Sequence, residues 1–225
     1  MKYYAILVAG GSGNRMNTTV AKQFLLLNGR PVLMHTIEAF HQCVLNPDIL
    51  LVLNIHQQGY WKELCQKYNF EVPHRIINGG AQRYHSVKNG LDAIEGNGVV
   101  AVHDAVRPLI SPALILESFK VAEEKGNCIV GITPTDSIRN IAVQPTVAIS
   151  RTDLILVQTP QTFRIDVLRA AYQTPYRSEF TDDASVAEYA GYEINTIEGA
   201  RENIKITYPE DLEIASILIK KGVTE

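Results

Sequence analysis

Short apolar segments alternate with segments of helical periodicity along this chain, and the alternation restricts the folds that it can adopt. Five segments rich in Val and Ile have the length of buried strands, namely Tyr3–Ala9, Ile49–Leu53, Arg75–Ile77, Val99–His103 and Cys128–Ile132. Runs of this kind are typical of parallel strands that are buried on both faces. The sequence therefore predicts an α/β fold, in which helices cover both faces of a mostly parallel sheet.

Signals for the start and the end of helices lie between and after these segments. After Pro31, a residue suited to a first helical turn, apolar residues recur at helical spacing: Leu33, Ile37, Phe40 and Val44. Ser111-Pro112 has the N-cap and first-turn pattern of another helix, which Gly126 is expected to end. Thr207–Glu210 fits a capping box before a last helix with apolar residues Leu212, Ala215 and Ile219.

Composition and charge exclude several classes of protein. With 225 residues, 46% of them hydrophobic and 20% charged, the chain is expected to form one domain spanning 1–225. A net charge of -3 gives no basic field for nucleic acid. No stretch approaches the roughly 18 apolar residues of a membrane span, and Tyr3–Ala9 is too short for a signal peptide. Cys43, Cys65 and Cys128 form no C-x-x-C motif. We therefore expect a cytoplasmic protein with reduced thiols and no nucleic-acid or membrane partner.

Residues 134–157, PTDSIRNIAVQPTVAISRTDLILV, interrupt the alternation of strands and helices. β-branched residues separated by polar ones, with Pro145 near the middle, predict two extended strands joined by a turn. A two-stranded ribbon is marginally stable alone, so its apolar residues need a surface to pack on: Ile138, Ile141, Val143, Val147, Ile149 and Leu154. The simplest arrangement is a two-fold homodimer in which each β-arm packs on the other subunit. The alternative is an arm folded over its own subunit as a lid.

Four groups of glycines and charged residues follow predicted strands, the positions where open α/β sheets bind ligands. They are Ala9–Lys22, Gly79–Ser86, His103–Pro108 and Asn203–Thr207. The first matches neither the dinucleotide fingerprint, because Met16 replaces the third glycine, nor the Walker pattern, because it has no Gly-Lys-Ser/Thr triplet. Glycine turns that expose backbone N–H groups, several cations and the carboxylate of Asp104 suit a nucleoside triphosphate with Mg²⁺.

Each of these groups also has a simpler explanation, since glycines serve tight turns and Arg15, Lys22 and Lys205 could be surface charges. Their joint placement at successive strand ends favours a binding site. The six histidines lack metal-ligand spacing, and Ser12 is not the serine of a G-x-S-x-G elbow. A nucleotide-sugar glycosyltransferase would usually carry a D-x-D motif, which the sequence lacks. A non-catalytic nucleotide-sensing module would not require these cations together with Asp104.

Six ordered motifs span most of the chain: A-G-G-S-G-N-R-M with K-Q-F, G-G-x-x-R-x-x-S-V, V-H-D-A-V-R-P, Q-T-P-Q-T-F, T-D-D-A-S-V-x-E and N-I-K-I-T-x-P-E-D-L. Over Ala5 to about Ala215 the sequence thereby resembles the 2-C-methyl-D-erythritol 4-phosphate cytidylyltransferases of non-mevalonate isoprenoid biosynthesis. Ribitol-5-phosphate cytidylyltransferases share three of these motifs and remain an alternative. Thr181–Val186 with Glu188 favours the methylerythritol family. The resemblance implies a Rossmann-like nucleotidyltransferase fold and an interlocked homodimer.

The resemblance also implies roles for individual residues. Arg15 and Lys22 would be catalytic and stabilise the transition state on the phosphates of CTP. The nucleotide would be bound by Ala9, Gly10, Gly11, Ser12, Gly13, Gly80, Ala81, Ser86 and Asp104, and methylerythritol phosphate by Asp104, Arg107, Ser137, Arg151, Thr159 and Lys205. Asp104 would also contact Mg²⁺ together with the CTP phosphates. Ser137 and Arg151, on the arm, would act on the partner subunit's site.

Three positions depart from the pattern of the family. Ala21 replaces a common proline before K-Q-F, Ala81 replaces a frequent Asp after Gly-Gly, and Ser137 replaces a common threonine. None of these changes removes a charge needed for the expected chemistry, in which a substrate phosphate attacks the α-phosphorus of CTP. Because the nucleophile is already an anion, such a reaction requires positioning and positive charge rather than a protein base.

Overall fold

The computed structural model describes residues 1–10 and 20–222, and the secondary structure of these residues follows the predicted alternation. The strands are β1 Tyr3–Val8, β2 Leu26–Leu27, β3 Arg30–Pro31, β4 Asp48–Leu53, β5 Arg75–Asn78, β6 Val99–Asp104, β7 Asn127–Ile132, β8 Ile138–Asn140, β9 Val147–Ile149, β10 Leu156–Arg164 and β11 Thr196–Glu198. The α-helices are α1 Val32–His41, α2 Gln58–Lys67, α3 Arg83–Asp92, α4 Pro112–Lys125, α5 Ile165–Ala171, α6 Asp183–Tyr189 and α7 Pro209–Lys220. Within the described ranges, no helix is long and apolar enough to cross a membrane.

Seven strands form the central sheet in the order β11-β7-β10-β6-β1-β4-β5. Strand β10 runs antiparallel to β6 and β7, and the other neighbouring strands pair in parallel. The predicted mostly parallel sheet is confirmed, and the five predicted strands agree with β1, β4, β5, β6 and β7 to within one residue at each end. Strands β10 and β11 were not predicted.

Alternate residues of the central strands enter two hydrophobic cores, one on each face of the sheet. In β1, Ala5 and Leu7 pack with α1, α2 and α4, whereas Tyr4 and Ile6 pack with α3, α5 and α6. A third cluster lies under α7, where Ala215 packs with residues of the β2–β3 hairpin and with Val106. Burial on both faces explains why the sequences of these strands are apolar almost throughout.

The predicted helix ends are largely confirmed, with two corrections. Ser111 Oγ accepts a hydrogen bond from the N–H of Leu114 at 3.2 Å, and Gly126 ends α4 with a φ of 93°. Helix α1 ends before Val44, which is 80% exposed instead of packing on the helix face. At the start of α7 the capping carboxylate is that of Asp211, which accepts the N–H groups of Thr207 and Tyr208; the predicted acid, Glu210, was wrong by one residue.

Residues 134–157 contain two short strands, as predicted, and these form a sheet separate from the central one. Strands β8 and β9 pair antiparallel with Ile138 opposite Ile149, and Pro145 lies in the connection between them. Most of the apolar side chains of this arm remain exposed in the single chain; Ile141 is 77% exposed and Val147 is 48% exposed, whereas Ile138 and Leu154 are partly buried. The arm therefore leaves apolar surface that its own subunit does not cover.

Candidate active site

A cavity of about 400 Å³ lies at the carboxyl ends of β1 and β6. Because β1, β4, β5 and β6 are parallel, the segments that follow them reach the same edge of the sheet. The structure brings together eight of the residues singled out from the sequence in the wall of this cavity: Ala9, Gly10, Lys22, Gly80, Ala81, Ser86, Asp104 and Lys205.

The remaining predicted residues lie elsewhere. Gly11, Ser12, Gly13 and Arg15 fall outside the described residues. Arg107 and Thr159 are buried beside Asp104 without lining the cavity. Ser137 and Arg151 lie on the arm, where both are exposed and Arg151 Nη1 donates to the carbonyl of Thr135. Within one chain the arm residues do not join the cavity wall.

A buried glutamine fixes Ala9, the residue that follows β1. Gln23 is 1% exposed, and its Nε2 donates to the Ala9 carbonyl at 2.8 Å and to Gln57 Oε1 at 2.9 Å. The adjacent Lys22 begins a short 3₁₀ turn, and its Nζ donates to the Ile206 carbonyl at 3.2 Å. This contact places the ammonium group between the first loop and the segment that carries Lys205. The sequence analysis quoted Gln23 within K-Q-F but assigned it no role.

The second loop packs directly on the first turn of α3. The N–H of Gly80 donates to Ser86 Oγ at 3.0 Å, and Ser86 is 2% exposed. A Cβ atom at Gly80 would lie 2.3 Å from His85 Cβ, so the position has no room for a side chain. A Cβ at Gly10 would lie 3.4 Å from the same Ser86 Oγ. Gly10 and Gly80 therefore both lie close to Ser86, and both line the cavity without a side chain.

Asp104, the last residue of β6, places a carboxylate between two cations. Its Oδ2 accepts from Lys205 Nζ at 2.7 Å, and its Oδ1 lies 3.4 Å from Arg83 Nε. Burial raises the pKa of Asp104, but the positive charges of Arg83 and Lys205 outweigh burial and hold the pKa well below its usual range. The carboxylate is therefore ionised at neutral pH.

Buried hydrogen bonds beneath Asp104 fix its backbone. Its N–H donates to Thr159 Oγ1 at 3.1 Å, and this hydroxyl also lies 3.1 Å from His103 Nδ1. Burial lowers the pKa of His103 to about 3, so the ring is neutral. In the Nε2–H tautomer His103 donates to the Arg107 carbonyl at 3.2 Å, and Thr159 donates to its Nδ1. These contacts orient the end of β6 from below.

Arg107 and Asn203 connect the end of β6 to the segment that carries Lys205. Arg107 Nη1 donates to the Asn203 carbonyl at 2.7 Å, and Asn203 Nδ2 donates to the Thr159 carbonyl at 2.9 Å. The N–H of Ile206 donates to the Val106 carbonyl at 2.9 Å. Lys205 is thereby held opposite Asp104 although about one hundred residues of chain separate them.

The sequence analysis assigned no role to two charged residues at the cavity, Arg83 and Asp183. Arg83 lines it and lies between Asp104 and Asp183, whose Oδ2 accepts from Arg83 Nη2 at 2.8 Å. Both residues stood in quoted motifs, G-G-x-x-R and T-D-D-A-S-V, which could have identified them. Neither motif shows by itself that the two side chains meet.

Asp104 is the one carboxylate among the described residues of the cavity wall. Across the described part of the chain, no group of three or more His, Cys, Asp or Glu side chains could hold a metal ion. Mg²⁺ commonly binds through one or two carboxylates together with substrate phosphates and water. The donor set of the cavity therefore fits a Mg²⁺ ion that arrives with a phosphate ligand, not a resident metal held by protein alone.

Comparison with known proteins gives one family. A model of the 2-C-methyl-D-erythritol 4-phosphate cytidylyltransferase family matches residues 3–221. A protein of that name from Phocaeicola vulgatus is 47% identical over 219 residues, which cover 97% of this chain and 100% of the relative. Another, from Clostridium botulinum, is 41% identical and covers 96% of this chain and 99% of its own length.

Solved structures agree with this match. The 4-diphosphocytidyl-2C-methyl-D-erythritol synthase of Anaerococcus prevotii superposes with a TM-score of 0.83 at 25% identity, covering 97% of this chain and 96% of that one. The 2-C-methyl-D-erythritol 4-phosphate cytidylyltransferase of Thermus thermophilus gives a TM-score of 0.79 at 26% identity, with 98% and 100% covered. Both comparisons cover nearly the whole length of each chain.

Proposed function

This chain belongs to the 2-C-methyl-D-erythritol 4-phosphate cytidylyltransferase family, and we propose that it couples CTP to 2-C-methyl-D-erythritol 4-phosphate. The products are CDP-methylerythritol and pyrophosphate, in non-mevalonate isoprenoid biosynthesis. The observation that carries the proposal is the described part of the cavity wall, in which Gly10, Gly80 and two lysines surround one carboxylate, that of Asp104. The described residues of this wall suit two phosphate-bearing substrates and include no Ser/His pair for a covalent mechanism.

The reaction is the attack of a substrate phosphate oxygen on the α-phosphorus of CTP. A new P–O bond forms as the bond to the β-phosphate breaks, and pyrophosphate leaves with its electron pair. Two anions must approach each other, so fixed positive charge is the main requirement. Lys22 lies on the wall for this role, and Arg15 is assigned to the same role from the sequence. Correct alignment of the reacting groups supplies the remainder.

CTP is assigned to the two glycine turns. The first, Ala9–Gly13, would hold the triphosphate through backbone N–H groups. The second, with Gly80, Ala81 and Ser86, would frame the cytosine. Because His85 leaves no space for a side chain at Gly80, contacts to the base at that residue would come from the main chain. Ala81 offers no carboxylate, so the contacts in that loop would come from the main chain.

The phosphate of methylerythritol phosphate is assigned to the other wall. Lys205 presents its ammonium group there with the side chain 44% exposed, and Asp104 lies next to it. An incoming phosphate would share the ammonium group with Asp104. Arg107 and Thr159, buried below, hold this edge of the cavity in shape.

Mg²⁺ is assigned to Asp104 together with the CTP phosphates, in keeping with the one carboxylate found among the described residues of the wall. When bound, the ion neutralises part of the triphosphate charge and polarises the phosphoryl oxygens. Asp104 remains ionised at neutral pH because of its two cationic neighbours, and an ionised carboxylate can bind the metal ion.

We further propose a cytoplasmic homodimer built through the β-arm. The exposed apolar residues of the arm require a cover that their own subunit does not provide. In such a dimer, Ser137 and Arg151 would reach the partner subunit's cavity, while Lys22 and Lys205 act within their own chain. Free cysteines, two of them buried, are consistent with a reducing compartment.

Mixing of variant subunits tests whether the arm contributes residues to the partner subunit's cavity. Combining Arg151→Ala and Lys22→Ala subunits should restore about a quarter of wild-type activity, because half of the dimers then carry one intact site. The matched control combines Lys22→Ala with Lys205→Ala; both residues lie in one cavity, so no recovery is expected. If both mixtures stay inactive after confirmed subunit exchange, each site is built from one chain and the lid alternative stands.

The function itself is tested by release of pyrophosphate from CTP with methylerythritol phosphate and ribitol 5-phosphate assayed in parallel. Turnover dependent on Mg²⁺ and at least about tenfold higher kcat/KM for methylerythritol phosphate is expected. A higher kcat/KM for ribitol 5-phosphate would mean that this alcohol phosphate, and not methylerythritol phosphate, is the substrate. Absence of pyrophosphate release with either alcohol would contradict a cytidylyltransferase.

A further inference from the structure

Two motifs to which the proposed function gives little role meet in the structure. Gln161, in Q-T-P-Q-T-F, is 1% exposed, and its Oε1 accepts the N–H groups of Asp183 at 2.9 Å and of Ala184 at 3.0 Å. Its Nε2 donates to Asp182 Oδ2 at 2.8 Å. One buried amide thus fixes the start of α6 on β10. Since β10 is the neighbour of β6, the position of Asp183 relative to the strand that carries Asp104 is fixed as well.

Asp183 is fully buried and has two side-chain donors. Its Oδ1 accepts from the Tyr172 hydroxyl at 2.7 Å, and its Oδ2 accepts from Arg83 Nη2 at 2.8 Å. Burial, together with the charge of Asp183, raises the pKa of Tyr172 well above its usual value, so the hydroxyl stays a donor. A carboxylate with no exposed surface cannot contact a substrate in the cavity. Its effect on the site must pass through Arg83.

Arg83 connects this buried anion to the cavity. Its Nη2 contacts the Asp183 carboxylate, and its Nε points toward Asp104 Oδ1. About a quarter of the Arg83 side chain is exposed. A guanidinium can contact two carboxylates at once because its donors point in several fixed directions, whereas the ammonium of lysine is a single point of charge. Asp104 therefore has one cation on each oxygen, Arg83 on Oδ1 and Lys205 on Oδ2.

The two cations differ in how firmly they are held. The Lys205 side chain is 44% exposed and faces the cavity, where an anionic substrate competes for it. The Arg83 side chain is anchored by a carboxylate that solvent does not reach. When a phosphate shares Lys205 and weakens its pairing with Asp104, Arg83 still holds the other oxygen of that carboxylate.

We propose that Arg83 and Asp183 are positioning residues of the reaction: Asp183 anchors Arg83, and Arg83 keeps the Asp104 carboxylate in one orientation while Lys205 engages the substrate phosphate. The inference rests on the proposed function for the role of Asp104 and Lys205. It assigns to the T-D-D-A-S-V motif an effect on the cavity, although Asp183 has no exposed surface of its own.

Asp183→Asn tests the anchor, because it keeps the volume of the side chain and removes the charge that holds Arg83. We expect kcat to fall about tenfold to hundredfold, as misplacement of a reacting group by about 1 Å can do, while KM for CTP changes little. The matched control is Tyr172→Phe, which removes the other donor to Asp183 and keeps the ion pair. This control should lose thermal stability and retain kcat. Equal loss of kcat in both variants would mean that Asp183 has only a structural role.

Arg83→Lys tests the connection even if Asp183→Asn fails to fold. It keeps the charge but cannot bridge both carboxylates, so a similar fall in kcat is expected. If Asp183 acts through Arg83, the double variant should be no slower than Arg83→Lys alone. Fully additive losses would mean that Asp183 acts by another route, and wild-type kcat in Arg83→Lys would overturn the proposal.

A measurement without substrate separates this inference from the proposed function. In ¹H–¹⁵N spectra the Arg83 Nε–H signal, assigned by its absence in Arg83→Lys, should be protected from exchange in the wild type and in Tyr172→Phe. It should be lost in Asp183→Asn. Persistence of the signal in Asp183→Asn would overturn the proposed anchor, whichever alcohol phosphate the wild-type enzyme accepts.

Discussion

Gly80→Ala is the substitution whose effect follows most directly from the geometry of the site. The added Cβ would lie 2.3 Å from His85 Cβ and 2.8 Å from the His85 backbone carbon. Carbon atoms in contact are about 3.5–4.0 Å apart, so the second loop or the first turn of α3 must move by more than about 1 Å. The hydrogen bond from Gly80 to Ser86 is then lost or lengthened.

We expect Gly80→Ala to lower both the stability of the protein and its activity. Overpacking of this kind typically costs about 1–3 kcal/mol, which for a chain of this size lowers Tm by about 2–12 °C. A displacement of about 1 Å in the loop assigned to the base should lower kcat/KM for CTP by about a hundredfold. Differential scanning fluorimetry and steady-state pyrophosphate release measure the two losses separately.

Gly98→Ala is the matched control, because it produces a similar clash far from the cavity. Its Cβ would lie 2.2 Å from the Lys2 carbonyl oxygen, just before β6 begins, whereas Asp104 lies where β6 ends. We expect a comparable loss of Tm with KM for CTP unchanged. Equal kinetics in the two variants would refute the assignment of the Gly80 loop to the nucleotide.

Three further predictions follow from the same structure. Lys22→Ala should lower kcat by about 10²–10³ while calorimetry shows nearly unchanged CTP binding, and near-normal kcat would reduce Lys22 to a surface charge. ATP and GTP should support little turnover, because a site that pairs the polar edge of cytosine rejects a purine; comparable rates would exclude the assigned base pocket. Burial lowers the pKa of His74, whose Nε2 accepts the indole N–H of Trp61 at 2.9 Å, so its contribution to stability is complete above about pH 6.5 and is lost as pH falls below that value. Urea unfolding followed by fluorescence of Trp61, the single tryptophan, should show a smaller loss at acid pH in His74→Gln than in the wild type, and equal losses would contradict this account.

The strands of the central sheet that could be predicted from sequence are mostly those that are apolar on both faces. Strand β10 was missed because it is buried yet polar, with Gln158, Thr159, Gln161 and Thr162 all less than about a tenth exposed. Each of these side chains is satisfied by hydrogen bonds to distant segments, such as Gln158 Nε2 to the Ala200 carbonyl and Thr162 Oγ1 to Ser118 Oγ. Hydropathy scores these polar side chains as costly to bury. It does not include the hydrogen-bond partners that remove this cost in the folded protein, so the strand is not recognised.

Contacts between distant segments also limit how much of the site can be predicted from the sequence. Lys22, Asp104 and Lys205 could be placed together because each follows a predicted strand or precedes a predicted helix, and parallel strands end at one edge. The pair formed by Arg83 and Asp183 could not, because the two residues are one hundred positions apart and α6 follows no predicted strand. The resemblance supplied both motifs without indicating that their side chains meet.

The charges around the cavity explain how a chain with net charge -3 can receive two anionic substrates. Among the described residues, Lys22, Arg83, Arg107 and Lys205 lie at or beneath the cavity with only Asp104 and Asp183 to balance them. Positive charge is therefore in excess locally, while both carboxylates serve to hold cations in place. The ion pair of Arg83 with buried Asp183 is already formed and needs little rearrangement when a phosphate arrives. Such preorganisation makes fixed charge effective in a transition state. Attraction of the substrates thus depends on the local field inside the cavity, since the field of the whole protein is weakly repulsive to anions.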